Sequence, residues 1–278
     1  MQDFFSTIEI NDALFLRNLK IFPLKAKDIG IELSTIDKAR ITEQGRVDSI
    51  ILENPLNNDM FYFSGQEVIG AYQDRVIAES NILRAHSFEN VNVVCVEEKR
   101  WEGGSEFKTG EVAHPIIRSM LISGGKNLQK AVWNEVRRKL TSLRVSSKTL
   151  SLNQSFMDLR DDVNIFVEHA EELKRYNGMA VFFEDRFVGA DLFFSRSLWG
   201  KVYKKILKGY ALDALEEMFT KSALYERSLS VNEVIAFLKG FERIKKGTVI
   251  YKDKRFAFDY NNYNKVPLNA SFFPYMNA

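Results

Sequence analysis

The chain has one cysteine, Cys95, and only three histidines in 278 residues. A single cysteine excludes an internal disulfide, and a reducing compartment is its natural home. His86, His114 and His169 share no ligand spacing with each other or with Cys95, so no zinc motif is present and no metal site is expected. No apolar run approaches the ~20 residues that span a bilayer, so no membrane partner is expected. The start, Met1-Gln2-Asp3-Phe4-Phe5, lacks the basic and apolar stretches of a secretory signal, and the expected location is the cytoplasm. Also missing are a Gly-x-Ser-x-Gly elbow, a kinase loop and a dinucleotide Gly-x-Gly-x-x-Gly, which removes the commonest hydrolase and Rossmann readings. The formal net charge is only +2, with a pI near 8.4, so no global basic field points to nucleic acid. The motifs name no cofactor, and nothing in them fixes an oligomeric state.

What is present is ordinary globular material with two polar blocks set in it. Hydrophobic residues make up 45% and charged residues 27%, and 22 Phe supply bulky core side chains. The first block is Gly65-Gln66-Glu67-Val68-Ile69-Gly70-Ala71-Tyr72-Gln73-Asp74-Arg75 and the second is Cys95-Val96-Glu97-Glu98-Lys99-Arg100-Trp101. Unpaired polar groups cost about 1–3 kcal/mol each in a core, so such density suits a site, or a set of internal ion pairs. Arg75 has the fork geometry that grips phosphate or carboxylate. Arg100 beside Trp101 offers a charge next to a stacking surface, although a tryptophan plugging the core rim reads equally well. In an extended strand Glu97 shares a face with Cys95, which reads as a buried, inert thiol.

Residues 1 to about 120 read as short strands at roughly ten-residue spacing, the pattern of a sandwich or barrel. Segments 46–53 and 59–63 flank a turn-rich Asn54-Pro55-Leu56-Asn57-Asn58 and read as a hairpin-like pair. After Ser123-Gly124-Gly125 the character changes. Leu128, Val132, Val136, Leu140 and Leu143 mark one face of a helix over 126–143. Its start could hold an anion on free N–H groups but is not a P-loop, because Asn127 stands where Ser or Thr is needed; a plain turn into a helix is the simpler reading. Arg137-Arg138-Lys139, and Lys201, Lys204, Lys205 and Lys208, read as solvated helix faces. Further helices are expected over 158–175 (stopped by Asn177-Gly178), 197–208, 212–225 and 231–238, with strands at 179–183, 186–190, 248–251 and 255–260. The expected fold is α+β: a β-rich sandwich- or barrel-like part (1–122) packed against a helical part with a small antiparallel sheet (123–278), or one continuous domain.

Ile21-Phe22-Pro23-Leu24, Ile41-Thr42-Glu43 with Gly45-Arg46-Val47, the two polar blocks, Gln129 to Val136 and Val188-Gly189-Ala190-Asp191-Leu192-Phe193 occur in the order of a known family. The chain resembles the type-1 domain family named for its association with ADP-ribosylglycohydrolase, rhodanese and phosphatase domains, a family of unknown function. The resemblance implies an accessory protein that binds or hydrolyses a nucleotide- or ADP-ribose-like ligand in NAD-related metabolism. Carried over by position, Glu67 and Glu97 are the candidate acid and base. Gln73, Arg75, Arg100 and Trp101 are candidate ligand contacts, with Arg118, Gln129, Trp133 and Asp191 supporting. Where the family shows Gln-Asn-Arg this chain has Gln73-Asp74-Arg75, and a carboxylate there weakens anion binding locally. The alternative reading is a non-catalytic interaction or scaffold module whose polar blocks form a structural ion-pair network.

Overall fold

The computed structural model describes residues 4–276 apart from 222–223, 227–228, 241–246 and 252–253. The chain opens with β1 (Glu9–Ile10), β2 (Leu14–Leu16), β3 (Leu19–Lys25), β4 (Ser34–Thr35), β5 (Arg40–Thr42) and β6 (Ser49–Glu53). Next come β7 (Met60–Tyr62), β8 (Gln66–Gly70), β9 (Arg75–Ile77), β10 (Asn81–Leu83), β11 (Phe88–Cys95) and β12 (Phe107–Val112). Four helices follow, α1 (Pro115–Ser123), α2 (Leu128–Ser142), α3 (Asn153–Asp158) and α4 (Arg160–Glu168). The remainder is β13 (Gly178–Phe183), β14 (Arg186–Phe193), α5 (Arg196–Thr220), α6 (Val231–Lys239), β15 (Gly247–Tyr251), β16 (Lys254–Tyr263) and β17 (Val266–Pro274). The fold is α+β, as the alternation of patterns predicts.

Six strands in the order β12-β8-β9-β11-β6-β5 form an antiparallel sheet. It curls until its edges meet through the Thr42–Glu106 bridge, giving a barrel-like unit with few open edges. An eight-stranded sheet, β1-β3-β13-β14-β17-β16-β15 with β2 on β3, takes its first strands from the start of the chain. Its centre is covered on both faces, and β13 and β14 are buried almost throughout. One face meets the barrel and helices α1, α2, α4 and α5 in a single apolar cluster running from Leu16 through Phe61, Ile117 and Val181 to Trp199. The other face lies under α6 and the N-terminal Phe4 and Phe5, with Phe237 stacked on Phe272 at 4.1 Å.

Several sequence expectations change for identifiable reasons. Segments 49–53 and 60–62 are not a hairpin: β6 pairs with β5 and β11, while β7 belongs to a small sheet with β4 and β10. Asn54 makes the chain switch sheets, its amide donating to the carbonyls of Asn58, Leu83 and Arg84. The helix expected over 158–175 breaks after Glu168 into a short 3₁₀ turn, where the Leu173 carbonyl accepts the Trp199 indole N–H at 2.7 Å. The helices expected at 197–208 and 212–225 are the single 25-residue α5, capped by Ser195. Gly209, in the gap between the two expected helices, is a close-packing point: a Cβ there would stand 2.8 Å from the Val112 carbonyl oxygen. Helices α1 and α3 and strand β17 carry too little periodicity to be read in advance.

Candidate functional site

The two polar blocks meet. Strand β9 pairs with β11, placing Arg75 opposite Cys95 in the ladder. From this frame Gln73 donates to the Glu97 carbonyl at 2.8 Å and the Asp74 N–H donates to Glu97 Oε2 at 2.9 Å. Arg100 closes the arrangement, donating to Glu97 Oε2 at 2.6 Å, Asp74 Oδ1 at 3.1 Å and the Ala71 carbonyl at 2.5 Å. Ser151 donates to the other Asp74 oxygen at 2.8 Å. Burial, reinforced by the neighbouring Glu97 charge, raises the Asp74 pKa. Cys95 donates its thiol to Gln73 Oε1, and burial pushes that thiol up to about 11, so it is an inert core group at neutral pH.

Arg75 is only 1% exposed, and its guanidinium is committed internally: to Glu43 at 2.5 Å, to the Arg46 and Ser49 carbonyls, and over the Phe107 ring. Gln129 on α2 accepts from the Cys95 N–H at 3.0 Å and donates to the Cys95 carbonyl at 2.8 Å. Gln73, Asp74, Arg75, Glu97, Arg100 and Gln129 therefore form one wall of groups engaged internally, with Arg75 Nε left without a partner among the described residues. Trp101 projects into solvent at 57% exposure. Trp133 lies one turn beyond Gln129, half buried, with no partner for its indole N–H among the described residues. Arg118 and Asp191 meet elsewhere, in a bidentate pair at 2.6 and 2.9 Å between α1 and β14. Ser271 and Tyr210 also donate to Asp191, so that carboxylate is fully satisfied. Gly65 makes the approach possible, since a Cβ there would lie 2.6 Å from Arg118 Cγ.

Glu67 stands outside this pattern of satisfied groups. Its side chain is completely buried, and neither carboxyl oxygen makes a hydrogen bond of normal geometry, although the Glu111 backbone N–H acts on the carboxyl and partly offsets the cost of burial. Burial, then the nearby Asp74 and Glu111 charges, raises its pKa well above the usual carboxylate range. The ladder around it is irregular. Val68 faces Thr109 and Gln66 faces Val112, leaving Glu67 opposite two residues, Gly110 and Glu111. Such bulges re-aim side chains and are frequent beside sites. A Cβ on Gly110 would sit 2.8 Å from the Glu67 Cβ and 2.6 Å from Ile69 Cδ1, so only glycine fits.

Gly110, Glu111 and Ile69 also form part of the wall of a cleft of about 280 Å³ reaching to α3, α4 and α5. Arg160, Lys205 and Lys208 line it, with Asn153, Asn164 and Thr109 supplying neutral polar groups. Lys205 pairs with Asp37 at 2.5 Å, Lys208 pairs with Glu111 at 2.6 Å, and Arg160 has no ion-pair partner among the described residues. Sequence reasoning missed this cleft because it took the lysines of α5 as a solvated face. The available signal was Gly110 inside a strand pattern, which marks a bulge or a close approach.

A second polar cluster was also missed. Lys139 is fully buried against Asp213 and Glu216 of α5, and Arg138 pairs with Glu135 and Glu216. The expectation that Arg137-Arg138-Lys139 faces solvent is thus corrected for Lys139, while Arg137 and Arg138 are partly exposed and ion-paired, Arg137 with Glu98. Lys139 lies seven residues after Val132 and three after Val136, on the buried stripe of α2. Burial raises the Asp213 pKa to about 6 despite the adjacent Lys139. Burial also holds His114, which contacts Glu135 at 3.0 Å, well below the ordinary histidine value.

Among the described residues no group of His, Cys, Asp and Glu has metal-site geometry, and no helix is long and apolar enough to cross a membrane. No curated protein and no solved structure matches the chain. A family model does match, over residues 7–262, and covers the barrel, the polar wall, the cleft and most of the large sheet. The chain belongs to the ARG and Rhodanese-Phosphatase-superfamily-associated Protein domain family, whose function is not known.

Proposed function

We propose that the chain binds a small, anionic, nucleotide-derived ligand in the cleft between β12, α3, α4 and α5, with Glu67 as a buried acid behind its wall. The observation that supports this most is Glu67 itself. A carboxyl without exposure or a hydrogen bond of normal geometry costs free energy, and it stands at a ladder irregularity backing onto a cation-lined cleft. Carboxyls perturbed in this way concentrate at functional sites. On this reading Arg160, Lys205 and Lys208 meet the ligand's negative charge, while Arg75, Arg100 and Glu97 hold the neighbouring wall. The family's association with ADP-ribosylglycohydrolase and phosphatase domains agrees with a phosphate-bearing nucleotide ligand and an accessory role in NAD-related metabolism.

The test is a thermal-shift screen of the full chain against NAD, ADP-ribose, ADP and inorganic phosphate. A ligand at about 100 times its Kd stabilises a fold by about 2.7 kcal/mol, a shift of several degrees at this size. A shift given by phosphate-bearing compounds and lost in Lys205→Ala supports the proposal. No shift with any of them, or one unchanged in that variant, overturns it.

A second reading, an interaction or scaffold module braced by structural ion pairs, is favoured by the Arg118–Asp191 pair, which ties α1 to the large sheet with every donor and acceptor engaged except Arg118 Nε. Structural pairing predicts large stability losses on truncation and no ligand response.

A further inference from the structure

On the binding reading above, we infer that the cleft takes the sugar-phosphate part of its ligand, a phosphorylated pentose, and leaves the rest of a larger nucleotide outside. The cleft volume of about 280 Å³ lies just below the roughly 300–1,000 Å³ of clefts that enclose drug-sized ligands. A dinucleotide-sized molecule therefore cannot be enclosed, whereas a five-carbon sugar bearing one phosphate is of a size to fill the space. The charges are arranged for one phosphate rather than two. Arg160 has no ion-pair partner among the described residues and offers the planar fork that suits a phosphate. Lys205 and Lys208, by contrast, share their charge with Asp37 and Glu111 and only reinforce it.

Glu111 supplies the sugar selectivity. One of its oxygens accepts from Lys208 at 2.6 Å, and the other is buried without a partner. The Glu111 side chain is 24% exposed, and a carboxylate oxygen has room for a second acceptor contact, so it accepts from a sugar hydroxyl and repels a second phosphate. Asn164 adds an amide able to donate and accept, and the Phe156 and Val163 side chains give the C–H face of a sugar an apolar surface.

Isothermal titration calorimetry of the full chain with ribose-5-phosphate, inorganic phosphate, ribose and ADP tests this. The expected result is measurable binding of ribose-5-phosphate, binding of inorganic phosphate weaker by about tenfold or more, and no heat from ribose; Arg160→Ala should weaken ribose-5-phosphate by a similar factor. Glu111→Gln should narrow the gap between ribose-5-phosphate and inorganic phosphate. Inorganic phosphate binding as tightly as ribose-5-phosphate would reduce the cleft to a bare anion contact and overturn the inference. ADP binding without ribose-5-phosphate would overturn it too while leaving the nucleotide reading in place. Silence from every phosphate compound would remove both.

Discussion

Glu67 and Gly110 face each other across a ladder irregularity with no room for one more carbon: a Cβ on Gly110 would lie 2.8 Å from that of Glu67. Gly110→Ala is expected to destabilise the fold by about 1–3 kcal/mol, the usual cost of overpacking, since both Glu67 and Ile69 would have to shift. Urea denaturation of wild type and variant measures it. A variant as stable as wild type would mean that the β8–β12 contact is looser than these distances describe.

The raised pKa of Glu67 has a thermodynamic signature. Its folded pKa is raised, so its share of stability is fully present below the unfolded value near 4.5 and is lost as pH rises toward the folded value. Over that window the group contributes a fall of up to about 1.4 kcal/mol per pH unit. Glu67→Gln, neutral at all pH values, should remove that slope and be the more stable protein at high pH. Parallel stability curves for the two proteins would show that Glu67 is ionised in the folded state.

Asp213 should behave similarly at a lower pH. Its pKa of about 6, against an ordinary 3.8, means that stability attributable to it is present below the ordinary value and lost as pH rises through about 6. Asp213→Asn should flatten the wild-type decline between those limits, read from chemical denaturation at several pH values. The readout is local to the α2–α5 contact, because Lys139 and Tyr225 are the groups that donate to Asp213.

Arg75→Ala leaves the Glu43 carboxylate, itself 3% exposed, without its cation. Breaking a buried pair in this way costs about 3–5 kcal/mol, and the double variant with Glu43→Ala should recover part of the loss. Equilibrium unfolding of the four proteins in a double-mutant cycle gives the coupling. A loss under about 1 kcal/mol would fit a guanidinium free to serve a ligand instead.

How far the sequence carries depends on the period involved. Leu128, Val132, Val136 and Leu140 locate α2 within two residues, because one stripe buried against one core leaves a plain 3.6-residue signal. The same stripe holds Lys139, whose charge suggests solvent until Asp213 and Glu216 are seen to meet it from α5. Gly209 falls in the gap between the two helices expected there, and it is where the single helix α5 approaches the Val112 and Ala113 carbonyls. The polar blocks are visible by composition. Their closure is not, because Gln73 with Glu97 and Arg75 with Glu43 are partners separated by 24 and 32 positions. The cleft is the least legible feature, since its cations come from α4 and α5 and its glycine from β12.

The grip of Gln129 on Cys95 has a consequence for how copies of this chain coexist in a crowded solution. Beyond Asn92, strand β11 has run past its pairing with β6, so on that side the backbone of Cys95 would offer a free donor and acceptor. An exposed stretch of that kind is a template on which a strand from another molecule can nucleate. The Gln129 amide fills both positions with the pattern of a neighbouring strand, delivered from a helix that cannot propagate a sheet. One side chain thus guards the barrel's unfinished edge against its own kind.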